Sequence, residues 1–139
     1  MASLLEQARA RAAARRERQV TITLPELELD LVCDVPTDMA VVERMQSEAK
    51  KFDKGQARAT HFARALVAAQ TREIRISGEL VEVDGDPVGF RDPELWPELG
   101  VSDAKSAVVE LVGADGDILA VASELMAEAG FGADDEDPI

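Results

Sequence analysis

The hydrophobic positions of this chain change period several times, and each change marks a new element. From Ser3 to Arg18 the stretch SLLEQARARAAARRER contains no Gly, Pro or β-branched residue, which predicts helix. Leu4, Leu5, Ala8 and Ala12 recur at helical spacing and arginines occupy the other faces, so the apolar stripe is thin. A lone helix of this length is marginal in water. Residues 1–18 therefore read as an arm used for association, not as core. VTITL then alternates, with Val20, Ile22 and Leu24 on one face. LELDLVCDV alternates again, setting Leu27, Leu29, Leu31 and Cys33 opposite Glu28, Asp30, Val32 and Asp34. Period two predicts strands. Pro25-Glu26 between them is a poor hairpin turn, which leaves a hairpin and one long bent strand both open.

Helical periodicity returns at Pro36. Thr37 is the expected N-cap, with Asp38 in the first turn, and Val41, Met45, Ala49 and Phe52 form the inward stripe. Gly55 lies near the end of this helix. A second helix from about 56 to 70 turns Ala59, Phe62, Ala63, Leu66 and Val67 inward, and the two pack as an αα-hairpin. Residues 72–76 and 79–83 read as strands about a Ser77-Gly78 turn, followed by a turn at 84–87. Pro93 and Pro97 confine Leu95 and Trp96 to a short helical turn or loop. Ser102 or Asp103 caps a helix carrying Ala104, Val108, Leu111 and Val112. Asp115 or Asp117 caps a last one carrying Ile118, Ala122, Leu125, Met126 and Ala129, with Gly130 as its stop. The fold class is α+β, mostly helical: four to five short helices with a small antiparallel sheet drawn from residues 20–33 and 72–83. The organisation is an N-terminal helical arm (1–18), a single globular domain (19–130) and an acidic disordered tail (131–139).

Composition narrows the chemistry. At 139 residues the chain suits one core, and with no Tyr and five other aromatics that core must be aliphatic. The net charge of -13 is lopsided: residues 1–75 carry 13 basic and 11 acidic side chains, residues 76–139 carry 2 and 17. An acidic half of this kind repels nucleic acid, which needs a concentrated basic face; it suits self-association or a basic protein partner instead. Cys33 is the only cysteine and His61 the only histidine. No disulfide, cofactor site, catalytic constellation or transition-metal site is expected from such a set. The Asp84-Gly85-Asp86 and Asp115-Gly116-Asp117 runs fail as calcium loops, since position twelve falls on Leu95 and Met126 instead of Glu. No apolar run reaches membrane-spanning length. A soluble, cytoplasmic, non-enzymatic protein is expected. Trp96 reads either as a plug over the C-terminal helices or as a contact anchor.

Several of these runs carry a resemblance. Ala65-Leu66-Val67 ends a helix. Val83-Asp84-Gly85-Asp86-Pro87-Val88-Gly89-Phe90 makes a turn, Leu95 to Leu99 an acidic segment, and Ser106-Ala107-Val108-Val109-Glu110-Leu111 a short helix. With LDLVCDVPTD before them, residues 27–130 resemble the tail assembly chaperones of long-tailed, siphovirus-type phages. Gly89 and the long hairpin at 72–83 depart from that family's pattern. The resemblance implies a protein that coats the tape-measure protein, assists tail-tube assembly together with the tail-tube protein, and is absent from the mature virion. The candidate partner-binding residues are Leu4, Leu5, Ala8, Val42 and Trp96, and helix-in-groove binding is expected first on the outer faces of the 37–52 and 56–70 helices. The competing expectation is a tail-terminator or connector subunit, or another small acidic adaptor.

Overall fold

The computed structural model describes residues 3–16, 18–51 and 56–130. In chain order these form α1 (Leu4–Arg16), β1 (Gln19–Leu24), β2 (Leu29–Asp34), α2 (Met39–Ala49), α3 (Gln56–Gln70), β3 (Thr71–Ile76), β4 (Glu79–Leu80), β5 (Glu82–Val83), β6 (Asp86–Pro87), α4 (Trp96–Leu99), α5 (Ala104–Val112) and α6 (Asp115–Ala129). The fold is α+β and mostly helical, as the periodicity predicts. β1 to β4 form one antiparallel sheet in the order β1-β2-β3-β4, and β5-β6 form a separate small hairpin.

The choice between a bent strand and a hairpin falls to the hairpin. Pro25 opens a 3-10 turn through Leu27, and Glu28 takes the left-handed conformation at φ 51 and ψ 41, its N–H donating to the Pro25 carbonyl at 3.1 Å. That reversal brings Leu24 opposite Leu29. Leu27 therefore leaves the inward face and is 40% exposed, against the alternation that places it with Leu29 and Leu31. At the other tip, Ser77 (φ 52) and Gly78 (φ 83) are successive left-handed residues, the geometry that matches strand twist in two-residue hairpins. The expected strand 79–83 is broken at Val81. Beyond it Asp84 (φ 54) and Gly85 (φ 83) make a second turn of the same kind, so β5 pairs with β6 rather than extending the sheet.

Aspartate side chains cap the starts of α2 and α5. Asp38, not Thr37, caps α2, accepting from the Ala40 N–H at 3.0 Å. Asp103 caps α5, accepting from the Ser106 N–H at 2.7 Å. Neither Asp115 nor Asp117 caps α6. Ala114 holds that position without a side-chain bond, and the two carboxylates sit in the first turn, where the helix dipole favours them. Gly130 at φ 85 stops α6.

The core lies between one face of the sheet and α3, α5 and α6. Ile22, Leu29, Leu31, Cys33 and Ile74 meet Ala63, Leu66 and Val67 of α3 and Ile118, Val121 and Leu125 of α6. Phe90, fully buried, and Leu95 close one end. Ala59 is exposed and Thr60 buried, a small rotation of α3 from the expected stripe. In α2 the buried positions are Val42 and Ala49, with Val41 and Met45 half-buried. Phe52, Gly55 and the 131–139 tail lie outside the described residues.

Candidate functional site

The side of α3 toward α5 carries small residues, the half-buried Ala65 and Ala69 and the buried Ala68. Together with Ala104 of α5 they floor a groove of about 500 Å³, flanked by Arg91 and Lys105. Alanine at these spacings falls on one helical face and keeps the floor shallow, so another backbone could approach closely. Arg91 and Lys105 are the only basic residues after Arg75. Neither is held in an ion pair among the described residues. Asp103, also at the groove, is engaged at the start of α5; its bond to the Ser106 N–H holds its carboxyl below the usual carboxylate range.

A second recess of about 330 Å³ adjoins the groove through Lys105 and Ser106 and includes His61 and Arg64. Lys105 Nζ lies 3.2 Å from His61 Nε2. A lysine ammonium can only donate, so His61 accepts there in its neutral form. Partial burial, then the Lys105 charge, push its pKa down. Arg64 donates to Asp115 Oδ1 at 2.8 Å, tying α3 to the start of α6. Its Nε is buried and has no acceptor among the described residues. Together the two recesses are lined by alanines, Val101 and Val109, with Arg91, Lys105, Asp103 and Glu110 among them. A third recess near Asp84, Asp86, Asp92 and Glu94 is acidic; there Asp92 accepts from the Gly89 N–H at 2.7 Å, a turn contact.

The residues proposed from sequence fall in different places. Leu4 is 81% exposed and Leu5 62%, and Ala8 is exposed beside them. Val42 is 1% exposed, which corrects its assignment: a side chain enclosed by its own domain cannot meet a partner. Trp96 is half-buried against the core, and its Nε1 donates to the Phe90 carbonyl at 2.8 Å. Ala69, Arg91 and Lys105 are not among the residues proposed from sequence, and Ala65 enters there only in the run that ends a helix. Their signal is the small-residue face of α3 and the scarcity of cations after Arg75. The start of α1 carries a reciprocal cap, in which Ser3 and Glu6 exchange bonds of 3.1 and 3.0 Å, the pairing expected for Ser followed by Glu three residues on.

Among the described residues no three His, Cys, Asp or Glu side chains converge to hold a metal ion, and no helix is long and apolar enough to cross a membrane. The chain matches no protein-family model, no curated protein and no solved structure.

Proposed function

We propose that this chain is a non-enzymatic tail assembly chaperone of a long-tailed phage, acting in the cytoplasm of the infected cell. It covers apolar helical surface of the tape-measure protein until the tube encloses it, assists delivery of tail-tube protein, and does not stay in the finished particle. The observation that carries this reading is the alanine-floored groove between α3 and α5. A floor of alanines buries little area per residue, so it suits a partner held for a time and then released. The surrounding acidic surface keeps such a complex soluble.

Co-expression with a tape-measure protein tests the reading directly. The chain should raise that partner's soluble fraction, and replacing Ala65 and Ala69 with Glu should abolish the effect without lowering the melting temperature. Purified mature tails should lack the chain. Stoichiometric amounts in the particle would overturn the proposal in favour of a terminator or connector subunit.

A further inference from the structure

The two hairpin tips of the sheet lie side by side. Ser77 donates from its N–H to the Glu28 carbonyl at 2.7 Å and from its hydroxyl to Glu28 Oε1 at 2.6 Å. On this shared tip Leu27 and Ile76 are each 40% exposed. Glu26, Glu28 and Glu79 are exposed around them, and the neighbouring Arg75 is engaged by Glu73 at 3.6 Å. The result is a small apolar patch with an acidic rim.

The arm is its complement. Leu4 and Leu5 are the most exposed large apolar side chains among the described residues, and Arg9 and Arg11 follow them on α1, also exposed. Residues 1–18 carry five arginines and two glutamates; residues 19–139 carry 10 basic and 26 acidic side chains. A thirteen-residue helix with its apolar residues in water is marginal by itself. The chain's own body does not cover it, since every described side chain of α1 is exposed. Its root is fastened at the far end of β1 from the tips: Arg18 pairs with Glu128 at 2.7 Å, and Gln19 stands opposite Asp34.

We infer that the arm of one copy docks on the double hairpin tip of a second copy, Leu4 and Leu5 against Leu27 and Ile76, with Arg9 and Arg11 against Glu26 and Glu79. Two copies that exchange arms reciprocally close a dimer, and one-way exchange extends a chain. The contact is independent of the α3–α5 groove and leaves that groove open.

Sedimentation equilibrium on the full chain over a concentration series tests this. Wild-type protein should sediment above its 15.0 kDa monomer mass. R9E/R11E and E26K/E79K should each associate about tenfold more weakly, as expected for reversing two exposed charge pairs. Both sets of reversals in one chain should restore association. An equimolar mixture of the two double variants should also associate, because each then supplies the complement of the other. Melting temperatures report folding; all the substituted side chains are exposed. A monomeric wild type, a reversed variant that associates like wild type, or a mixture that stays monomeric would each overturn the inference.

Discussion

Replacing Gly89 with Ala should destabilise the protein out of proportion to one methyl group. Gly89 follows β6 and has no positive φ, so alanine could adopt its backbone conformation. The obstacle is space. A Cβ at this position would press into the Thr71 carbonyl oxygen and stand 3.0 Å from the Thr71 carbonyl carbon and 3.2 Å from that of Arg72. Neither side gives easily. The Thr71 hydroxyl donates to the Val67 carbonyl at 2.7 Å, and Thr71 pairs with Cys33 beside a β-bulge. Gly89 is itself tied to Asp92 and leads into the fully buried Phe90. Overpacking against side chains costs about 1–3 kcal/mol, and a backbone obstacle puts this site at about 3 kcal/mol. For a domain of this size that lowers the melting temperature by roughly 10 °C. Gly116 is the control, since a Cβ there meets no heavy atom within 4 Å. It lies in the first turn of α6, where alanine should gain about 0.5 kcal/mol. Thermal melts of G89A, G116A and wild type decide the matter. If G89A melts within about 2 °C of wild type, the close approach of Gly89 to Thr71 is wrong.

Asp103→Ala should cost about 1 kcal/mol, the usual worth of an N-cap. Because the folded carboxyl is held below its ordinary value, its contribution is full above the unfolded pKa and fades as pH falls through the lowered folded one. The gap in melting temperature between D103A and wild type should therefore close on acidification, and a widening gap would refute the cap. Burial pushes the Cys33 thiol up to about 11 from 9.0, so stability should fall as pH rises from the lower value toward the higher. Near about pH 8 a thiol reagent should label native protein no faster than it unfolds; rapid labelling would contradict the burial. Val42→Ala should cost about 1–3 kcal/mol through lost packing while partner binding by the folded fraction stays unchanged. A selective loss of binding with an unaltered melt would restore Val42 as a contact.

The residues by themselves settled what depends on local period and local bonding. Alternation at Leu29, Leu31 and Cys33 placed that face inward, and the three- and four-residue spacing of Ala63, Leu66 and Val67 did the same for α3. Gly78 and Gly130 mark a turn and a stop, because few other residues accept their positive φ. Tertiary contact decided the rest. Helical period puts Val41 in the inward stripe of α2, yet Val42 is the buried valine and Val41 only half-buried; the way α2 packs on the rest of the domain makes that choice. Leu27 alternates with Leu29, yet the left-handed Glu28 between them turns it toward solvent. Gly89, which reads as an interruption in a turn, is required by a carbonyl eighteen residues earlier. The α3–α5 groove and the paired hairpin tips were equally out of reach. Ala65, Arg91 and Lys105, like Leu27 and Ile76, are far apart along the chain, and only packing of the elements sets them together. Period and propensity act over a few neighbouring residues, whereas a binding surface is a property of elements that meet.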